Sequence, residues 1–423
     1  MSSPTRTRPS SSSSSTTSET LTQLIPGLPN DLGALILSFI PYSHHARLKL
    51  TCKPWRLFFS SKSLICLRSR NPKSRSHLLC IFPGDPSIAS PYLFDPHCLA
   101  WCPLPPLPPD PHVYGLCNFT SISIGPHLYV LGGSHFDARS FPLDRPSPSS
   151  STFRFDFFTN RWDRLAPMIS PRGSFACAVV PHPDQILVAG GGSRHTMFGA
   201  AGSKMSSVER YDIKKDEWVA LDGLPRFRAG CVGFLVGSGE QREFLVMGGY
   251  GQSRSISGVF PVDEYYRDAV VLELNVHDGC GGGKWREVGN MWQEGERRRL
   301  GKTVVVEDDD AGGVPMIFMF DENDIFRYDI ACNRWEKESS VPRNSPSSSV
   351  PGFFVLDGEL HVMTLLNGHD SPETRMLWPL KKAGSLFIQI YNPRRKTWRS
   401  LTTKPPFSDP LDFRNAVMCT IRL

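Results

Sequence analysis

FACAVVPHPDQILVAGG (175–191) and SVERYDIKKDEWVAL (207–221) are the stretches whose reading decides the fold. The first holds an alternating apolar run, a polar turn and a second apolar run that stops at a glycine pair. The second holds a strand pattern, a charged turn and a strand carrying Trp218. Short alternating runs separated by turn residues mark antiparallel strands, so 175–221 reads as one four-stranded unit. The pattern recurs along the chain. Trp101, Trp162, Trp218, Trp335 and Trp398 each stand six positions after an Asp or Asn: Asp95, Asp156, Asp212, Asp329 and Asn392. Trp285 joins the series with Asn275 only if the Gly-rich stretch 279–283 lengthens the turn. A second marker runs in phase, because Gly132-Gly133, Gly190-Gly191 and Gly248-Gly249 follow apolar runs at intervals of 58 residues. Four short strands cannot bury both faces alone, whereas six such sheets set radially give each sheet two neighbours. The expected fold is therefore mainly β, a six-bladed β-propeller over 78–423. Its glycine pairs would take positive φ and its tryptophans would fill the space between blades.

The glycine pair, then VERYD, FRFD or FRYD, then Trp, resembles the kelch repeat. FMFDEND (318–324) and VMTLLNG (362–368) stand where two further glycine pairs belong, so those blades are degenerate. The first unit offers LLCIF (78–82) without a clear opening strand, while FRNAVMCTIRL (413–423) reads as an opening strand with nothing after it. The C-terminal strand is thus expected to complete the N-terminal blade, which removes two exposed edges.

Residues 24–66 carry a different period. Asn30 or Asp31 can cap a helix whose apolar residues Leu32, Leu35, Ile36, Phe39 and Ile40 share one face, and Pro41 ends it. Ser43 can start a second helix, and Pro54 suits the first turn of a third. Three short helices with this much apolar surface cannot bury it among themselves, so the cluster wants a partner. The landmarks LPNDL (28–32), Ile36-Leu37, Ile40-Pro41, Leu48 and CKPWR (52–56) make the stretch resemble an F-box, although two histidines, His44 and His45, precede the second helix where an acidic residue is often seen. That resemblance implies docking on the Skp-family adaptor of a cullin-RING ubiquitin ligase through Leu28, Pro29, Leu32, Ile36, Leu37, Ile40, Pro41, Leu48, Cys52 and Trp55.

The charge divides in the same way. Residues 1–75 hold 11 Lys or Arg and 2 Asp or Glu, leaving the remaining chain at −3 of the overall +6. A basic N-terminal module suits an acidic protein partner, and no zinc-finger, helix-turn-helix or RNA-recognition pattern accompanies the charge to argue for nucleic acid. Residues 1–23 are Ser-rich and read as a disordered tail, with a transit peptide as the alternative; 67–77 reads as a solvated basic linker. No run of 18 apolar residues and no secretory segment is present, so a soluble chain in the cytoplasm or nucleus is expected, with its 11 scattered cysteines reduced. Cys98, Cys102 and His97 lack the spacing of a zinc set, and no metal or cofactor is expected.

No GxSxG, HExxH or GxxxxGK motif occurs. The kelch resemblance also admits copper-radical oxidases, but the histidines of the repeat region show no clustered pair. The reading is therefore a non-catalytic substrate receptor of an SCF (Skp-cullin-F-box) ligase, with a kelch scaffold lacking a ligase role as the alternative. The long insertions Ser134–Ser151, Ser193–Ser207, Tyr250–Asp268 and Asn367–Ser385 should share one face with Arg172, Arg226, Arg297, Arg343 and Arg414. As a ring, these arginines would suit an acidic or phosphorylated target segment.

Overall fold

The computed structural model describes residues 23–71, 76–83, 90–108, 112–137, 147–181, 184–192, 204–238, 241–256, 260–275, 283–292, 296, 299–307, 315–342, 350–366, 385–406, 413 and 416–423. The chain forms two compact units, 1–74 and 75–423. The N-terminal tail, Arg297, Arg343, Arg414 and most of the insertions 193–207 and 367–385 lie outside the described residues.

Among the described residues the second unit holds six four-stranded antiparallel sheets. Sheet 1 orders Val417–Arg422, His77–Phe82, Tyr92–Asp95 and Ala100–Pro103; sheet 2 orders Thr120–Ile124, His127–Leu131, Thr152–Asp156 and Arg161–Leu165. Sheet 3 takes Ala176–Val180, Gln185–Ala189, Val208–Asp212 and Glu217–Leu221, and sheet 4 takes Val232–Ser238, Gln241–Met247, Asp268–Asn275 and Trp285–Asn290. Sheet 5 takes Lys302–Val306, Met316–Asp321, Asp324–Asp329 and Arg334–Ser340, and sheet 6 takes Gly352–Leu356, Glu359–Leu366, Ser385–Asn392 and Thr397–Thr403. Two insertions pair on their own. Val113–Cys117, Ser134–Asp137 and Ser147–Pro148 make a three-stranded sheet, and Tyr250–Ile256 pairs with Phe260–Tyr265.

The C-terminal strand lies in sheet 1, with His77 opposite Arg422 and Phe82 opposite Val417, and Ser76 and Leu423 exchange backbone hydrogen bonds of 2.7 and 2.9 Å. Each sheet packs on the next. Trp218 and Tyr211 meet Tyr129 and Leu131 between sheets 3 and 2; Phe244 and Val270 meet Ala176 and Leu187 between sheets 4 and 3. Ile317 and Trp335 meet Met247 and Val271, and Leu360 and Tyr391 meet Phe318 and Phe320. Ile388 and Met363 of sheet 6 pack against Leu79, Ile81 and Phe94 of sheet 1, and Ser123 of sheet 2 donates to the Thr420 carbonyl at 2.7 Å. The seam between sheets 1 and 6 is also bridged by polar side chains, with His77 Nδ1 and His97 Nε2 at 3.2 and 3.1 Å from the Asp357 carboxylate. Burial alone raises that carboxyl, but the two imidazoles outweigh it and hold it at about 2.

The repeat markers have local causes. Asp95, Asp212, Asp329 and Asn392 each accept two backbone N–H bonds from the turn that follows, and Asp156 accepts one. Four positions on, Leu99, Asn160, Asp216, Asn333 and Lys396 all have φ between 48° and 55°, and the chain returns two residues later at the tryptophan. Most of the indoles then reach across to the neighbouring sheet: Trp162 to Pro105 O, Trp218 to Ala166 O and Trp285 to Asp222 O, each at 2.9 Å, and Trp398 to Ser339 Oγ at 3.1 Å. Trp101 makes the equivalent bond to Thr403 Oγ1, 302 residues away, at 3.3 Å. Trp335 departs from the pattern: its Nε1 has no hydrogen-bond partner among the described residues, and the ring stacks on the buried Trp292 at 6.1 Å. Gly132 and Gly190 have φ of 59° and 67°, and a Cβ there would lie 2.4 and 2.5 Å from the carbonyls of Arg172 and Arg228.

Among the described residues the first unit holds four helices rather than the expected three: α1 Asn30–Ser38, α2 Tyr42–Leu48, α3 Lys53–Phe58 and α4 Lys62–Arg70. The fourth corrects the reading of 67–77 as a solvated linker. Arg68 is only 2% exposed, and it donates to the carbonyls of Ser38 and Ile40, which α1 leaves open at its C-terminal end. The caps differ as well. Pro29 and Pro41 occupy the N-cap positions of α1 and α2, and Asn30 uses its side chain to accept from Leu24 N–H at 2.9 Å. Pro54 lies in the first turn of α3, as its fixed φ favours.

Candidate interaction surfaces

In the helical unit, Leu37, Phe58, Phe59 and Leu64 form the core, with Ile40, Leu48, Trp55 and Leu67 packed around them. Trp55 is held by its indole N–H on Leu24 O at 2.7 Å and by an edge contact with Phe59. His45 is buried against Phe59 and its Nε2 lies 2.9 Å from Ile40 O. Burial and the nearby Arg68 guanidinium push the His45 imidazole down to about 3, so it is neutral at physiological pH.

Helix α1 is apolar nearly all round, and its packing decides which face is used. Gly33, Leu37 and Ser38 turn inward. Leu32, Leu35, Ile36 and Phe39, the stripe with the cleanest helical period, remain 41–50% exposed, and Leu50 and Leu57 stand out further at 86% and 58%. Unpartnered apolar surface of this kind on a small unit marks a protein-binding face. Among the residues expected to meet an adaptor, Pro29, Leu32, Ile36 and Cys52 are exposed, while Leu28, Ile40, Pro41, Leu48 and Trp55 are half-buried. Leu37 is corrected to a core residue, 2% exposed, because a residue one position from the exposed stripe points into the bundle. Leu35, Phe39, Leu50 and Leu57 were absent from the expected set. Leu35 and Phe39 carried the signal of the helical period, whereas Leu50 and Leu57 carried only apolar surplus.

The arginines separate into two kinds. Arg172 is fully buried: its guanidinium bonds Gly190 O and Ser207 O at 2.9 Å each and pairs with the buried Glu209, which also accepts from the N–H groups of Ile169 and Ser170. Burial pulls this guanidinium below its ordinary value against the opposing pull of Glu209. It has no surface to offer a target, and its role as a target-binding residue is corrected to that of an inter-sheet lock. The same lock recurs one sheet on. Arg228 bonds Gly248 O at 2.9 Å and Asp268 Oδ2 at 2.7 Å. Arg226 stands outside the lock, its side chain 45% exposed, with a hydrogen bond to the same Asp268 oxygen.

Among the described residues, no group of three His, Cys, Asp or Glu side chains could hold a metal ion, and no helix is long and apolar enough to cross a membrane. Burial pushes the thiols of Cys117 and Cys419 up to about 12, far from nucleophilic use.

The F-box domain family model matches residues 25–67, and the Kelch motif model matches 115–169 and 174–225. The F-box/kelch-repeat protein OR23 of Arabidopsis thaliana is 56% identical, over 95% of this chain and 92% of that one. The F-box/kelch-repeat protein SKIP30 of the same plant is 30% identical over 52% of this chain and 59% of its own length. Kelch-like protein 26 of Danio rerio is 35% identical over 30% of this chain and 18% of its own.

Proposed function

This chain belongs to the F-box/kelch-repeat protein family, and we propose that it is the substrate-recognition subunit of an SCF-type ubiquitin ligase, acting in the cytoplasm or nucleus. In this reading the helical unit docks on a Skp-family adaptor, and the sheets form a closed six-bladed propeller that holds a target protein. The chain itself does no chemistry. It raises the effective concentration of a target lysine near the ubiquitin-loaded enzyme of the complex.

The observation that carries the reading is the exposed stripe Leu32, Leu35, Ile36 and Phe39, within the stretch that matches the F-box model. Six sheets packed in succession, with the C-terminal strand in the first, support the closed propeller. The test is the double variant Leu32→Ala, Ile36→Ala. Each lost anchor at a desolvated contact costs on the order of 1–3 kcal/mol, so adaptor capture should fall by about thirtyfold or more. Both side chains are exposed, so the melting temperature should not move. Undiminished capture would refute adaptor docking through this face and favour a kelch scaffold without a ligase role.

A further inference from the structure

The hairpin Tyr250–Ile256 with Phe260–Tyr265 is inserted between the second and third strands of sheet 4, and two connecting segments meet at its base. Arg226, from the segment between sheets 3 and 4, lies over the Tyr266 ring at 4.7 Å. Arg299, from the segment between sheets 4 and 5, lies over the Tyr265 ring at 5.3 Å. Lys204 Nζ lies over Tyr250 at 5.2 Å. A cation held on a ring face keeps its N–H edge available while much of its rotamer entropy is already spent.

Comparison with sheet 3 shows that the second arginine is surplus to the fold. There, one guanidinium, Arg172, serves one carboxylate, Glu209, and the position matching Arg226 is Ser170. In sheet 4 the buried Arg228 already pairs with Asp268, yet Arg226 is added on the same oxygen. Arg299 is exposed and makes no ion pair or hydrogen bond among the described residues. Four cations, Lys204, Arg226, Arg228 and Arg299, thus lie over the rings of Tyr250, Tyr265 and Tyr266, and two of them share the Asp268 carboxylate. Phe227 and Tyr265 add aromatic surface, 45% and 40% exposed.

We propose that the base of this hairpin is the target-recognition site and that it reads an extended acidic peptide segment, with carboxylates on Arg226 and Arg299 and an aromatic or aliphatic side chain against Phe227 and Tyr265. This rests on the substrate-receptor reading and names the chemistry of its target. Two guanidiniums on successive tyrosines favour several single charges along a chain over one compact dianion, and at about 3.3 Å per residue a short extended segment reaches both.

The test is fluorescence anisotropy with the full-length protein and a labelled random Glu–Tyr copolymer, against a Lys–Tyr copolymer of matched length. The wild type should bind the first and not the second. Arg226→Gln with Arg299→Gln should weaken binding at least about tenfold, whereas Arg394→Gln with Arg395→Gln, in the exposed turn of sheet 6, should not. Should the first double variant fold poorly, Arg299→Gln alone gives up no hydrogen bond among the described residues and should still lose affinity. Equal binding by the variant, equal binding of the Lys–Tyr probe, or no binding by the wild type would overturn the proposal. Adaptor capture, measured on the same proteins, reports separately on the substrate-receptor reading and should not change.

Discussion

Helix α1 and the strand His77–Phe82 are comparably apolar, but the helix leaves Leu32, Leu35, Ile36 and Phe39 half in water while all six residues of the strand are buried. The strand has neighbours on both edges, one of them supplied from the far end of the chain by Val417–Arg422. The helix belongs to a unit of four short helices whose small core covers only one side of it. Burying a Leu- or Phe-sized side chain is worth about 1.5–3 kcal/mol. The same driving force has therefore been spent inside the chain in the sheet unit and left available for a second molecule in the helical unit. One unit is completed by the chain's own last strand, and the other leaves apolar surface uncovered.

The sharpest way to break this contrast is to remove residues 413–423. The deletion strips sheet 1 of its opening strand and uncovers Leu79, Ile81 and Phe354, apolar surface worth about 5–9 kcal/mol at 1.5–3 kcal/mol per side chain, comparable with the roughly 5–15 kcal/mol that holds a typical domain together. The truncated protein should aggregate or melt more than about 10 °C lower; an unchanged melting temperature would show that the sheet unit does not depend on its last strand.

A smaller effect sharpens the comparison between the two kinds of arginine. Arg172→Met leaves Glu209 buried without its cation and should cost about 3–5 kcal/mol in urea unfolding. Arg226→Gln breaks a partly exposed pair and should cost less than about 1 kcal/mol. Equal costs would mean that Arg226 also belongs to the lock.

A pH-dependent effect lies in the helical unit. His45 titrates at about 3 when folded and near 6.5 when unfolded, so the unfolded chain takes up the proton first as pH falls. Its contribution is complete above pH 6.5 and is lost progressively towards pH 3, about 2 kcal/mol at pH 5. Amide hydrogen exchange in α1 should quicken over that window, and His45→Gln should remove this part of the pH dependence. Identical pH profiles would mean that His45 is not the group responsible.

The turn chemistry could be read directly because it is local. An Asp or Asn that caps a turn, a residue with left-handed φ four positions later and a Trp two beyond that are all set by neighbours in sequence, so Asp95 to Trp101 and Asn392 to Trp398 were legible without a fold. The glycine pairs were legible for the same reason, since positive φ is a property of the residue itself. The locking role of Arg228 was not legible, because it depends on which guanidinium reaches Gly248 O, and Asp268 lies 40 residues away. Nor was the inward face of α1, where the stripe of best helical period turned out to be the outer one. By itself the sequence determined the repeat, its turns and a helical module with more apolar surface than it could bury. Only the tertiary structure decided which charges are locked inside and which apolar face stays open, because both depend on neighbours that are distant along the chain.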